Sequence, residues 1–126
     1  MEFEVSTIIP ASPQEVYDAW LDSKGHSKMT GAKAKVSAKA GDTFMAWDGY
    51  ISGKNLKLEP GKRIVQAWRT SEFSDEEEDS QIELIFKPVS EGTQLILRHT
   101  HLPSHGEIYR QGWEDSYFTP MKAYFG

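Results

Sequence analysis

Cysteine is absent from the 126 residues of this chain. Neither a disulfide framework nor a thiolate metal site is therefore available. No apolar run approaches the roughly 20 residues that a membrane-spanning helix needs. The opening stretch, MEFEVSTIIPASP, lacks the basic start and unbroken apolar run of a signal peptide. The expectation is a cytoplasmic protein with no membrane partner. A basic excess is missing too. Lys and Arg total 14 against 19 Asp and Glu, a formal net charge of −5. That balance argues against nucleic acid as a partner. There is no Gly-x-Ser-x-Gly elbow and no internal repeat. The one biased segment is the acidic run Asp75-Glu76-Glu77-Glu78-Asp79, which reads as a solvated loop tip. Linker-like composition is absent, so residues 1–126 read as one domain. A domain of this size buries roughly two thirds of its unfolded surface.

What the chain does have is concentrated in its last third, SHGEIYRQGWEDSYFTPMKAYFG, from Ser104 to Gly126. Ser104 and Glu107 have the spacing of a capping box and predict a helix start. Tyr109, Trp113, Tyr117 and Met121 recur every four residues, which places them on one helical face. Tyr124 and Phe125 fall close to the same stripe. A purely structural stripe is more often Leu, Ile, Val and Ala. Aromatics with OH and NH tips suit the wall of a partly polar cavity, because each buried tip needs a partner. Gly112 predicts a close approach of this helix to the sheet. Pro120 predicts a kink, since proline lacks a donor and clashes with the previous turn.

Upstream, Phe3, Val5 and Thr7 alternate with Glu2, Glu4 and Ser6, the pattern of a strand ending at Pro10. Ser12-Pro13-Gln14-Glu15 combines an N-cap serine, proline at the first helical position and a capping-box glutamate. A helix to about Asp22 follows, broken by Gly25. A second short helical piece spans His26 to Thr30 and is closed by Gly31. From Ala34 the period becomes two. Short strands are expected around Val36 and over Asp42–Trp47, with Asp48-Gly49 as a hairpin turn. Longer strands are expected over Tyr50–Glu59, Arg63–Thr70, Gln81–Lys87 and Thr93–Leu102, separated by Pro60-Gly61, the acidic run and Glu91-Gly92. Segregated strands and helices indicate an α+β domain. A curved antiparallel sheet wrapped around a long C-terminal helix, with two short helices after the first strand, accommodates this order.

Three stretches narrow the reading. GDTFMAWDGYISGKNLKLEPGKRIVQAWR, from Gly41 to Arg69, the strand leading to His101-Leu102-Pro103, and RQGWEDSYFTPMKAYFG at the end together resemble the C-terminal domain of the activator of Hsp90 ATPase. The Arg110-Gln111-Gly112-Trp113 run, with Tyr117-Phe118 and Phe125-Gly126, is the most specific part. The resemblance implies the helix-grip fold of the START-like, or polyketide-cyclase-like, superfamily. It implies the fold and not the activity. In the eukaryotic co-chaperone this domain follows a separate N-terminal domain that is important for stimulating Hsp90.

The side chains give no catalytic constellation. His99 and His101 share a strand face, but no third or fourth ligand converges on them, so no metal site is expected. Two histidines lining a polar part of a cavity, their protonation tuning binding near neutral pH, fit the pattern better. Glu114-Asp115 lies off the aromatic stripe and reads as a solvated face. A cyclase- or hydrolase-type enzyme would have only His99 or His101 for proton transfer. The leading expectation is a non-catalytic module, without cofactor, that binds a hydrophobic or aromatic small molecule between sheet and C-terminal helix. Its lining is expected to be Trp68, His99, Tyr109, Trp113 and Tyr117, with Phe44, Ile51, Leu84 and Leu97 as apolar walls. The alternative is a chaperone-associated interaction protein, its partner an Hsp90-type chaperone and its acidic loop a docking patch for a basic surface.

Overall fold

The computed structural model describes residues 1–126. Strand β1, Phe3–Ile9, leads into two short helices, α1 (Pro13–Trp20) and α2 (Ser23–Thr30). Five strands follow: β2 (Thr43–Ala46), β3 (Ile51–Glu59), β4 (Arg63–Thr70), β5 (Ser80–Val89) and β6 (Gly92–Thr100). The six strands form one sheet in the order β1-β6-β5-β4-β3-β2, every neighbouring pair antiparallel. The helical C-terminal segment runs from a 3₁₀ turn at Ser104–Glu107 through α3 (Ile108–Trp113), a π turn (Glu114–Phe118) and α4 (Thr119–Phe125). This is the α+β helix-grip arrangement.

The period-two pattern sets the register. Ile82, Leu84 and Phe86 of β5 face inward with Leu95, Leu97 and His99 of β6, through the pairs Ile82↔His99, Leu84↔Leu97 and Phe86↔Leu95. Ile82, Leu84, Leu95 and Leu97 are fully buried. Burial of such side chains stabilises by roughly 1.5–3 kcal/mol each. The opposite face carries Glu4, Arg98, Glu83, Arg63 and Glu59 as a ladder of ion pairs across five strands.

Several local expectations are corrected. α1 has the full capping box at Ser12 and Glu15, but Gly25 does not interrupt a helix. The Asp22 carboxylate accepts from the Gly25 N–H and starts α2 at Ser23, and Gly31 closes it at φ 80°. Around Val36 there is only an isolated bridge, Lys35↔Met45. The Ser104–Glu107 capping box does not form, and those residues make the 3₁₀ turn without a side-chain cap. Glu107 instead accepts from Arg110 at 2.7 Å. At Pro120 the expected disturbance takes the form of a π turn just before the ring. That turn widens the helix where the ring would meet the preceding carbonyls, and the backbone stays right-handed helical through Thr119. The extra residue in that turn buries both Tyr117 and Phe118 and leaves Tyr124 44 % exposed.

Candidate functional site

The aromatic face of α3 and the π turn packs on Trp68 of β4, His99 of β6 and, at Tyr117, on Trp20 and His26 of the first two helices. Two buried polar chains anchor it, one to β6, β5 and the Trp68 carbonyl of β4 and the other to α2 and α1. In the first, Trp113 Nε1–H donates to His99 Nδ1 at 3.1 Å. His99 Nε2 must then carry the ring proton, and it donates to Ser80 Oγ at 2.9 Å. Ser80 donates in turn to the Trp68 carbonyl at 2.6 Å. In the second, His26 Nδ1 faces the Trp20 carbonyl at 2.8 Å. A carbonyl only accepts, so Nδ1 carries the proton and Nε2 accepts from the Tyr117 hydroxyl at 2.8 Å. Burial holds the His99 imidazole far below the usual range, at about 3. It also lowers His26, the Trp20 carbonyl offsetting part of the effect. Both rings are neutral struts at physiological pH.

Where helix and sheet do not fully interdigitate, a cleft of about 340 Å³ opens. Its lining is Trp47, Tyr50, Ile51, Trp68, Ile108, Tyr109, Gly112, Trp113, Ser116 and Tyr117. Most of these residues are apolar or aromatic. Polar groups gather at one rim. Tyr109 Oη lies 2.6 Å from Thr70 Oγ1, and the Tyr50 hydroxyl donates to Glu72. Burial of the hydroxyl end and the Glu72 hydrogen bond together raise the Tyr50 phenol well above its ordinary value. Burial raises Tyr117 as well. In Tyr109 the same burial effect is partly offset by Thr70.

Ile51, Trp68, Tyr109, Trp113 and Tyr117 of the expected set line this cleft. His99, Leu84, Leu97 and Phe44 do not; they are buried in the core behind it. His101 lies outside the strand at φ 57° and is exposed, so the pair of cavity histidines is not formed. His99 has both ring nitrogens bonded, which removes it as a pH-responsive ligand contact near neutrality. Gly112 does not mediate close packing. A Cβ built on it meets no atom within 4 Å.

Sequence reasoning missed Trp47, Tyr50, Ile108, Gly112 and Ser116. Ile108, Gly112 and Ser116 sit one residue before Tyr109, Trp113 and Tyr117, so the same helical period contained them. Trp47 and Tyr50 had no periodic signal, because they bracket an irregular turn. In that turn Trp47, Asp48 and Gly49 have φ of 53°, 57° and 95°. A left-handed tryptophan is strained, by about 1–3 kcal/mol. The Trp47 indole N–H is also buried; it acts on the Tyr117 phenol but lies outside good hydrogen-bond geometry. The other aromatic tips meet the need for a partner inside the protein itself. Trp20, Trp113, Tyr109 and Tyr117 all find protein partners.

The acidic run is not a free tip. Arg69 binds the Asp79 carboxylate at 2.8 Å and the carbonyls of Ser74 and Glu77. His105 contacts Glu77 at 3.2 Å. No cluster of three or more potential metal ligands exists. No helix is long and apolar enough to cross a membrane.

Comparison with known proteins places this architecture. The chain is 33 % identical over 116 residues to the human activator of 90 kDa heat shock protein ATPase homolog 1, covering 91 % of this chain and 34 % of the human protein. It thus spans about a third of that relative's length. Among solved structures, an HSP90 activator from Plasmodium falciparum superposes with TM-score 0.89 at 22 % identity, covering 98 % of this chain and 94 % of the other. The Aha1 dimer from Colwellia psychrerythraea gives TM-score 0.81 at 17 % identity, with 98 % and 95 % covered. The family model described as activator of Hsp90 ATPase homolog 1-like protein matches residues 10–126, and the chain belongs to that family.

Proposed function

We propose that this chain binds a hydrophobic or aromatic small molecule in the cleft between β3–β4 and the C-terminal helix, without catalysis. The supporting observation is the cleft itself, about 340 Å³ and walled by Trp47, Ile51, Trp68, Ile108 and Trp113. Ligand pockets are typically a few hundred Å³, mostly apolar, with a small number of placed polar groups. A close-packed helix–sheet interface would have left no such space. Gly112 adds to the reading, because a side chain there would grow into open space.

The test is titration of tryptophan fluorescence with 2-ethylnaphthalene, a neutral apolar probe. Saturable binding is expected. Gly112→Leu adds a helix-favouring side chain that fills the cleft. It should abolish binding and leave the thermal midpoint unchanged or higher. Absence of saturable binding to the native chain, or undiminished binding to the folded variant, would remove the reading.

Family membership favours a second reading, association with an Hsp90-type chaperone in the cytoplasm. Asp75, Glu76 and Glu78 remain exposed on the acidic loop and would meet a basic partner surface. Salt-sensitive binding to an Hsp90-type chaperone, with a changed ATP turnover, is the expected outcome. No binding and no change in turnover would sink it.

A further inference from the structure

We infer that the ligand of the cleft is an organic cation, an aromatic or apolar body carrying an alkylated ammonium group, with Glu72 as its counter-charge. This rests on the binding function proposed above and names the chemical class of that ligand. Six of the ten residues that line the cleft are aromatic: Trp47, Tyr50, Trp68, Tyr109, Trp113 and Tyr117. Sites rich in aromatic rings hold alkylated ammonium groups through the negative faces of the rings, tryptophan most strongly.

Charge around the cleft favours the same ligand. No Lys, Arg or His lines it. Arg69, next to Trp68 on β4, is occupied by Asp79 and two backbone carbonyls. Arg110, next to Tyr109 on α3, pairs with Glu107 while covering Phe3. Glu72 stands at the rim instead. The Tyr50 hydroxyl donates to its carboxylate. The Glu72 backbone N–H donates to Thr70 Oγ1 at 3.2 Å, and that oxygen lies 2.6 Å from Tyr109 Oη. One carboxylate is therefore held beside both rim tyrosines, and no Lys, Arg or His pairs with it.

The Tyr50 phenol keeps its proton, because burial and the Glu72 hydrogen bond both raise it. The pair therefore retains the negative charge of the carboxylate. Burial comes first in raising the Tyr109 phenol, and the Glu72 charge adds to it, so the field reaches a second lining residue. Asp75, Glu76 and Glu78 follow on the same loop and are exposed. An anionic ligand would enter against this field and lose its hydration without a counter-charge. A neutral ligand would use the apolar walls alone. An ammonium group on an apolar body uses both, the body leaving water while the charge stays near Glu72 and the rings. An alkylated head suits the cleft better than a primary amine, whose three N–H donors would each need an acceptor.

Two probes of one shape test this: 2-naphthyltrimethylammonium and 2-tert-butylnaphthalene, which differ by a cationic nitrogen in place of a carbon. 2-Naphthoate is the anionic comparison. Dissociation constants come from tryptophan fluorescence titration. The ammonium probe should bind about tenfold tighter than its carbon isostere, and naphthoate more weakly than either. Glu72 is exposed, so the ammonium preference should shrink as sodium chloride is raised to about 1 M. Glu72→Gln leaves Tyr50 an acceptor and removes the charge. In that variant the preference should fall to about threefold, the share left to the rings. The salt series on the native chain stands even if the variant fails to fold. Equal affinity of the two isosteres, or a preference that neither salt nor Glu72→Gln reduces, would overturn this assignment and leave the cleft's binding function standing. Preferential binding of naphthoate would overturn it as well. Ammonium binding that survives in the folded Gly112→Leu variant would put the cation outside the cleft and overturn it too. Failure of all three probes to bind would overturn both readings.

Discussion

Trp113 shows how a residue that reads as a ligand contact can be mainly a structural joint. It is 3 % exposed, and its indole N–H ends in the His99–Ser80–Trp68 chain. One edge still borders the cleft. Trp113→Phe keeps most of the ring and strands the buried His99 Nδ1 acceptor, at a cost of about 1–3 kcal/mol. Trp113→Ala removes the whole side chain from a packed layer and should cost about 3–5 kcal/mol. Urea denaturation of both variants measures this. A loss below about 2 kcal/mol for the alanine variant would show that Trp113 is loosely held and acts chiefly as cleft wall. The helical stripe of Tyr109, Trp113 and Tyr117 was legible because four-residue spacing forces a common face. The depth of each residue was not. His99 was expected at the cavity surface, yet its strand register beneath Trp113 buries it completely.

Among the elements, β3 depends most on a single missing side chain. A Cβ on Gly53 would lie 1.8 Å from the Ala67 carbonyl oxygen and 2.7 Å from the Phe44 ring. Gly53 pairs with Trp68 across β3 and β4 and with Phe44 across β2 and β3. Gly53→Ala should force the backbones apart, destabilise by about 3 kcal/mol or more, and loosen the cleft floor at Ile51 and Trp68. Thermal unfolding would check this; a midpoint within a degree or two of the native protein would contradict it. The strands themselves were readable from alternation. The turn between β2 and β3 was only half readable. Asp48-Gly49 signalled a reversal, but nothing local shows that Trp47 also enters the left-handed region. The helical segment tells the same story. Proline at 120 predicted a disturbance, and the chain absorbed it as a π turn because Tyr117, Phe118 and Met121 all gain buried positions that way.

For the molecule as a whole, buried neutral histidines couple folding to pH. His99 has a folded value of about 3 against an ordinary 6.5, and His26 is shifted the same way. Below pH 6.5 the unfolded chain takes up protons that the folded chain refuses, so stability falls as pH falls. From His99 alone the loss between pH 7 and pH 5 should be about 2 kcal/mol. The carboxylates shifted downward, Glu77 and Glu91, contribute only below about pH 4.5, so the higher window isolates the imidazoles. Above about pH 10 the sign reverses, because the raised phenols of Tyr109 and Tyr117 stay protonated in the fold while the unfolded chain ionises. Chemical denaturation at pH 7 and pH 5, on the native chain and on His99→Asn, is the measurement. A flat profile, or an unchanged slope in the variant, would refute the assignment.

The sequence by itself determined the class of fold, the order of elements, and the face that each strand and the last helix turn inward. Those follow from periodicities of 2 and 3.6 residues, which any short stretch of chain carries within itself. The resemblance in Gly41–Arg69 and Arg110–Gly126 placed that order in a known family. Tertiary structure alone decided which inward residues meet atoms and which meet space. That depends on how far the helix stands from the sheet, where the π turn before Pro120 and the histidine struts at Trp113 and Tyr117 hold the helix in place. Leu84, Leu97, Phe44 and His99 fell on the packed side of that gap, and Trp47, Tyr50, Ile108, Gly112 and Ser116 on the open side. Periodicity specifies direction but not depth. The cleft is a property of depth.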